Sequence, residues 1–201
     1  MRAVPWGRCL LFFSIAIAGC LLDLATKRWI FGVLGMPPSP PWWLWKNYVG
    51  FQTSLNEGAL WGIGQGWQTV FAALSVLAAI GILVWLFFGG AARDLLLTIA
   101  LGCISAGIFG NLYDRLGLHG LEWINHPGHL DGDPVYAVRD WILVMIGDRP
   151  WPNFNVADSL LVCGAFLLAW HALFAQPGQP EPSPTRRLAR IIHRASDSDG
   201  G

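Results

Sequence analysis

The sequence predicts a membrane protein of the all-α class with a small β element, built on four transmembrane helices. Two observations predict this fold. The 201-residue chain is 54% hydrophobic but only 13% charged, about half the charged share of an ordinary soluble domain. Four separate stretches are also apolar over the roughly 19 residues needed to cross a hydrocarbon core of about 30 Å. This apolar content exceeds what one soluble core requires, so the surplus must face lipid.

The composition also excludes two classes of protein. With a formal net charge of zero, the chain lacks the basic surface with which a nucleic-acid binder neutralises phosphates. With 12 Trp and 11 Phe, it is far more aromatic than a disordered chain. We therefore expect membrane lipids, and no nucleic acid, as partners.

The four predicted spans differ in the charge they carry. The first is apolar up to Leu22 and then carries Asp23 and Lys27, whereas the second has no charge. Charged residues flank the third span, and Asp158 stands near the start of the fourth. An even number of spans places both termini on one side of the membrane. The predicted spans are about 9–30, 70–88, 95–112 and 156–174.

Charge distribution predicts that both termini are cytoplasmic. Seven of the thirteen basic residues fall on the side of the termini and six on the other, which alone decides little. On that other side, Lys27 and Arg115 stand beside acidic residues at span ends, and nine of the thirteen acidic residues lie there too. Residues 1–175 are predicted to form the membrane domain. Residues 176–201, rich in Pro, Gly, Ser and Arg, are predicted to be a disordered cytoplasmic tail.

The outer side then carries two long connections, at about 31–69 and 113–155. The first contains Trp42, Trp43 and Trp45, whose amphipathic rings suit the headgroup zone. Its prolines forbid one continuous helix. A short interfacial segment and a few strands are expected there, and function is expected on this side.

The cysteines lie inside apolar runs, which favours small core residues over a disulfide framework or a zinc site. Cys20 offers an alternative, because Ile17-Ala18-Gly19-Cys20 after an apolar run matches a lipoprotein signal peptide that would be lipidated on Cys20. Lipidated proteins usually continue as soluble domains, whereas three more spans follow here.

Ionisable residues at membrane depth are costly, so each is a functional candidate. Asp23 and Lys27 are spaced i, i+4, and so are Asn111 and Arg115, which puts each pair on one helical face. A charge pair that eases the end of a span into the interface is the simpler interpretation of the first pair.

Two carboxylates are candidates for catalysis. Asp158 opens the fourth span, and because Asn155 is the better helix cap, Asp158 is expected to be free for chemistry. Asp140 lies in the stretch 137–143, which suits either a strand or a short surface helix. Two carboxylates held close together share a proton near neutral pH and can hydrolyse a peptide bond without metal. Spacing alone does not establish that Asp140 and Asp158 meet.

Five blocks of residues, taken in order over about residues 10–174, resemble the lipoprotein signal peptidase family, also called signal peptidase II. The most specific are the strings GNLYDR, at the end of the third span, and FNVADS, at the start of the fourth. The blocks are Asp23 to Lys27, Asn56 to Ala59 with Trp61-Gly62, Gly110 to Arg115, Asp140, and Asn155 to Ser159.

The resemblance implies a multi-pass aspartic endopeptidase of the bacterial inner membrane with its site near the outer face. It implies four spans, a small outer β-cradle and a short amphipathic helix. Members cut prolipoproteins just before the cysteine that carries diacylglycerol. The resemblance implies no metal or other cofactor, and nothing in the sequence indicates an oligomer, so we expect a monomer.

Carried over by position, the catalytic pair of the family falls on Asp140 and Asp158. Asp114 matches a position outside the pair, and we expect it to be structural, holding Arg115 or neighbouring backbone. The residues that match positions lining the site and orienting substrate or the pair are Asp23, Lys27, Asn56, Asn111, Arg115, Asn155 and Ala157.

The stretch between Arg115 and Asp140 is longer than in typical members and is interpreted as an insertion. Asp131 and Asp133 within it compete with Asp140 for the first catalytic position. His126 and His129 suggest a metal site, but two histidines around a Pro-Gly do not share a helical face. A solvated surface loop without metal is expected.

A small transporter or channel is the alternative function. The ionisable residues would then line an outer vestibule on a proton or ion path. Transporters of that kind usually show internal repeats and broken central spans, and this sequence shows no repeat.

Overall fold

A computed structural model describes residues 5–58 and 64–174 of the chain. All four predicted helices are present and are long and apolar enough to span a membrane. The four predicted helices are therefore confirmed, although the first (Trp6–Leu34) begins earlier and ends later than predicted and the third (Leu95–Arg115) ends later. The predicted tail, residues 176–201, lies outside the described residues. The helices are α1 (Trp6–Leu34), α2 (Gln68–Phe87), α3 (Leu95–Arg115) and α4 (Val156–Phe174), with a short 3₁₀ turn at Ala91–Arg93.

Two helix boundaries follow directly from the residues there. Helix α1 ends at Gly35, which has a φ of 78° and donates its N–H to the carbonyl of Phe31. Only glycine adopts this backbone conformation at no steric cost. Helix α3 begins after Asp94, whose carboxylate accepts a hydrogen bond from the Leu97 N–H at 2.9 Å. This side-chain cap satisfies one of the free amides at the helix start.

Both outer connections contribute strands to one antiparallel sheet. In it, β2 and β3 pair with Val49 opposite Val144 and Ser54 opposite Asp140. The stretch around Asp140, for which a strand and a surface helix were both open, is therefore a strand. The sheet has the order β1-β2-β3-β4. Its strands are β1 (Trp42–Trp45), β2 (Val49–Asn56), β3 (Val138–Ile146) and β4 (Arg149–Pro150).

The short amphipathic helix implied on the outer side is not among the elements of residues 5–58 and 64–174. The first connection, where an interfacial segment is predicted, includes residues 59–63, which are not described. The indoles of Trp42 and Trp45 belong to β1 and are exposed, as the prediction for a headgroup zone requires.

Helix α3 is the central helix of the bundle. More than half of its residues are buried, whereas only a small share is buried in each of the other three helices. Small residues bring neighbouring helices close to it, as is common inside membranes. Gly102 of α3 lies against Ile15 of α1, and Gly164 of α4 lies against the α3 backbone at Ala100. Cys163, expected in a core, is exposed because it lies on the outward face of α4.

The insertion is largely exposed, as the sequence predicted, but it is more ordered than a simple surface loop. Its two arms form an antiparallel hairpin, in which Trp123 N–H donates to Asp133 at 2.8 Å and Val135 N–H donates to Leu121 at 3.0 Å. Trp123 and Val135 are buried and form a small core with Ala137, against which Met36 and Leu55 pack. Most of the other residues are exposed, in the arms as well as at the tip. We refer to residues 121–135 as the inserted hairpin.

The contact between α3 and α4 generates a stability prediction. A Cβ atom at Gly164 would lie 2.7 Å from the Ala100 carbonyl oxygen and 2.6 Å from the Ile104 side chain. We expect Gly164→Ala to destabilise the fold by about 1–3 kcal/mol through overpacking. The fall in Tm of the protein in detergent micelles measures this. The matched control is Gly81→Ala in α2, where the new methyl meets nothing within 4 Å, and an equal effect of both substitutions would contradict the packing explanation.

Candidate active site

Asp140 and Asp158 line the same cavity, which has a volume of about 640 Å³. Asp140 projects from β3 and is 2% exposed, whereas Asp158 lies in the first turn of α4 and is half-buried. Backbone pairing brings them together, because the N–H groups of Trp141 and Ile142 both donate to the carbonyl of Phe154. The strand that carries one carboxylate is thus hydrogen-bonded to the residues that precede the helix carrying the other.

Asn155 connects the two carboxylates. Its side-chain amide donates to Asp140 Oδ1 at 2.6 Å, and its backbone N–H donates to Asp158 Oδ2 at 3.1 Å. In return, Asn155 Oδ1 accepts from the Asp158 N–H at 2.8 Å. This reciprocal pattern is a capping box at the start of α4. The expectation that Asp158 is free of capping is therefore wrong, since one of its oxygens completes the box.

Asn111 of α3 orients Asp158 from the other side. Its Nδ2 donates to Asp158 Oδ1 at 2.8 Å, while its Oδ1 accepts from Lys27 Nζ at 3.0 Å and from Asn155 Nδ2 at 3.1 Å. Because an ammonium can only donate, Lys27 fixes which end of the Asn111 amide is the acceptor. The amide is thereby held with its NH₂ group facing Asp158.

Lys27 is completely buried and lies between two buried carboxylates. Its Nζ is 2.7 Å from Asp23 Oδ2 and 3.1 Å from Asp114 Oδ2. The predicted pairing of Asp23 with Lys27 is therefore confirmed. The other oxygen of Asp23 accepts from the Ala157 N–H at 2.9 Å, which ties α1 to the first turn of α4.

Asp114 is structural in this arrangement, but it holds Arg139 rather than Arg115. Its carboxylate accepts from the Arg139 backbone N–H at 2.9 Å, from Nε at 3.1 Å and from a terminal nitrogen at 2.7 Å. Sequence reasoning missed Arg139. The available signal was a charged residue directly before Asp140 in an otherwise apolar strand.

Arg115 and Asn56 complete the polar part of the cavity. Arg115 donates to the Gly58 carbonyl at 3.1 Å, and its guanidinium lies 5.5 Å from the centre of the Phe71 ring. Asn56 Oδ1 accepts from the Gly58 N–H at 3.0 Å, and the Asn56 side chain also hydrogen-bonds Asp140. Asn111 and Arg115 share a face that lines the cavity, as predicted. Ala59, Trp61 and Gly62 of the same sequence block lie outside the described residues.

The surroundings of Asp140 favour its protonated form. Burial raises the pKa of this carboxyl well above its ordinary value, and the nearby charge of Asp158 raises it further. Lys27 and the hydrogen bonds from Asn155 and Asn56 act in the opposite direction without cancelling the effect. The pair thus combines a carboxylic acid that keeps its proton with a second carboxyl that faces the same cavity.

The competing aspartates of the insertion do not reach the cavity. Asp131 and Asp133 are exposed, and Asp131 accepts a hydrogen bond from the Asn125 N–H at 2.6 Å. Of the two histidines, His129 Nε2 lies 3.0 Å from Glu57 Oε1, and His126 lies against the Trp123 ring at 4.4 Å. Within residues 5–58 and 64–174, no group of three or more His, Cys, Asp or Glu residues is placed to hold a metal ion.

Comparison with known proteins covers most of the chain. The family model described as signal peptidase (SPase) II matches residues 15–174. A lipoprotein signal peptidase of Rhodopirellula baltica is 51% identical over 168 residues, which cover 83% of this chain and 73% of the relative. One of Rhodococcus jostii is 33% identical over 187 residues, which cover 92% and 82%. A solved bacterial membrane enzyme has a TM-score of 0.65 at 25% identity, covering 88% of this chain and 99% of its own.

The contacts of Asp114 predict a structural role that can be tested. Asp114→Asn leaves the buried guanidinium of Arg139 without its carboxylate, which typically costs about 3–5 kcal/mol. We expect a marked fall in Tm, and partial recovery when Arg139→Met is added, because the unpaired charge is then also removed. Asp148→Asn, in the exposed turn after β3, serves as the control. An unchanged Tm for Asp114→Asn would contradict the assignment.

Proposed function

Because this chain belongs to the signal peptidase II family and removes signal peptides from prolipoproteins, we propose that Asp140 and Asp158 are its catalytic pair and make it an aspartic endopeptidase. One observation carries the proposal. The two carboxylates face one cavity and are held there by the same residue, Asn155.

The surroundings of the two carboxyls assign different roles to them. Asp140 is the general acid, because burial and the neighbouring charge keep its proton in place. Asp158 is the general base, because its two oxygens accept hydrogen bonds from the Asn111 amide and from the backbone N–H of Asn155, which orient it towards the cavity.

The reaction then runs in two steps. Asp158 takes a proton from water, and the water oxygen bonds to the carbonyl carbon of the scissile peptide while Asp140 donates its proton to the carbonyl oxygen. The tetrahedral intermediate collapses as its C–N bond breaks, and Asp158 gives its proton to the leaving amine. Asp140 recovers the hydroxyl proton as the new carboxyl group forms. The two residues end in the protonation states in which they began. No metal or cofactor takes part in the proposed steps.

The other predicted site residues act on the pair or on the substrate. Lys27 acts through Asn111, and Asp23 acts through the Ala157 N–H, so both are positioning residues. Asn56 and Arg115 border the open part of the cavity and are assigned to the substrate backbone. The same cavity has an apolar wall, which is formed by Ile108, Phe154, Leu161 and Val162. We assign the diacylglyceryl-cysteine to this wall.

The chain is a multi-pass bacterial membrane protein, and we infer that it lies in the inner membrane with both termini cytoplasmic. Asp140, Asp158 and the sheet lie at the end of the bundle where α1 and α3 end and α4 begins, which is the outer face in this orientation. We infer that the enzyme acts as a monomer among membrane lipids, with residues 1–175 as the peptidase domain and residues 176–201 as the tail.

The arrangement of charges does not favour a transporter or channel. Lys27, Asp23, Asp114 and Arg139 are buried and held in fixed ion pairs or hydrogen bonds, whereas an ion path requires groups that exchange partners with water.

The catalytic pair predicts the outcome of substitutions at four aspartates. Asp140→Asn and Asp158→Asn each remove a proton-transfer group, and we expect kcat to fall by at least about 10²-fold. The measurement is cleavage of a diacylglyceryl-modified prolipoprotein by purified enzyme, with the products identified by mass spectrometry. Asp131→Asn and Asp133→Asn in the inserted hairpin are the matched controls and should retain activity. Full activity of a folded Asp140→Asn or Asp158→Asn enzyme would reject that residue.

The raised pKa of Asp140 predicts how stability depends on pH. The folded protein binds this proton more tightly than the unfolded chain, so its contribution is complete below the unfolded pKa of about 3.9 and is lost as pH rises through the folded pKa. Asp140→Asn cannot titrate. We therefore expect its Tm, relative to that of the wild type, to increase as pH rises above about 4. A pH-independent difference for Asp140→Asn would exclude a raised pKa.

A further inference from the structure

The inserted hairpin contacts the segment Leu55–Gly58 beside the candidate active site. It does so in two independent ways. Trp123 is 3% exposed and belongs to the small core against which Leu55 packs. His129 Nε2, near the hairpin tip, lies 3.0 Å from Glu57 Oε1. One contact is apolar and the other polar, and they fall on consecutive parts of the same chain segment.

The imidazole of His129 is held in place by Trp123. The two rings are stacked, with centroids 4.1 Å apart and an interplanar angle of 8°. Because Trp123 is anchored in the hairpin core, the His129 ring presents Nε2 to Glu57 from a fixed position. A protonated His129 forms an ion pair with Glu57, and a neutral ring with its proton on Nε2 donates a hydrogen bond, so both forms attract the carboxylate.

Each residue of Asn56–Gly58 has a partner that matters to the site. Asn56 hydrogen-bonds Asp140, and the Gly58 carbonyl accepts from Arg115. Glu57, between them, accepts from Gln68 Nε2 at 3.1 Å through the same oxygen that faces His129. Glu57 therefore joins the start of α2 and the hairpin tip to the segment that borders the cavity.

We propose that the inserted hairpin positions Asn56–Gly58 for substrate binding, and that His129 is the positioning residue that does this through Glu57. The inference deepens the proposed function and rests on it, since the segment borders the same cavity. His129 does not touch the catalytic pair, so its role concerns the affinity for prolipoprotein and not the proton transfers.

The test is the split between KM and kcat for His129→Ala with a diacylglyceryl-modified prolipoprotein. Pairs that are partly exposed to solvent contribute modestly, so we expect KM to rise by about two- to five-fold with kcat and Tm unchanged. His126→Ala is the matched control, because His126 also lies against Trp123 but does not face Glu57. It should leave KM unchanged.

Two further variants keep the proposal falsifiable. The exchange His129→Glu with Glu57→Lys restores opposite charges and should return KM towards the wild-type value, which a merely structural role does not predict. Replacing residues 124–132 with a two-residue Asn-Gly turn keeps Trp123 and removes His129, and should raise KM as His129→Ala does.

Unchanged KM in both His129→Ala and the shortened hairpin, or a KM in the charge exchange no better than in His129→Ala, would overturn the inference. If Asp140→Asn is inactive in the same assay, that result leaves the proposed function standing. If Asp140→Asn is fully active, the proposed catalytic pair fails instead, whatever the hairpin variants show.

Discussion

The buried ammonium of Lys27 is the constraint around which the polar end of this protein is organised. A charge that is fully removed from water costs several kcal/mol unless it is paired. Lys27 is satisfied by one carboxylate of its own helix, one carboxylate of α3 and one amide oxygen of α3. Each of those partners is then committed to a further element: Asp23 to the start of α4, Asp114 to β3, and Asn111 to Asp158. The pairing of one charge thus ties the start of α4 and the strand β3 to α1 and α3.

Much of the fold could be predicted because the bilayer dictates it. A span must be apolar over a fixed length, so four such runs identify four helices. Only the residues at which the helices begin and end were predicted inaccurately. The strand at Val138–Ile146 was ambiguous because its alternation is short and then becomes uniformly apolar. The core of the inserted hairpin was missed because Trp123 and Val135 are twelve positions apart. They are buried together in a cluster against which the distant residues Met36 and Leu55 pack, and no local periodicity reveals such a contact.

The site could be predicted less completely than the fold. Resemblance to a family indicated the two carboxylates and the residues around them. The sequence does not show which of these side chains are hydrogen-bonded to each other. Asn155 was expected as a helix cap and also proved to be the connection between Asp140 and Asp158. Arg139 was not expected, because its partner Asp114 is 25 residues away. These contacts arise from the approach of β3 to α3 and α4, which tertiary packing decides.

The capping box at the start of α4 has a further consequence. The residue that begins the helix is also the residue that holds Asp140 beside Asp158, so the first turn of α4 and the carboxylate pair depend on the same side chain. The relative position of the two carboxylates therefore depends on the first turn of α4, and unwinding that turn separates them. A small molecule that stabilises the unwound turn would therefore separate Asp140 from Asp158 without occupying the cavity.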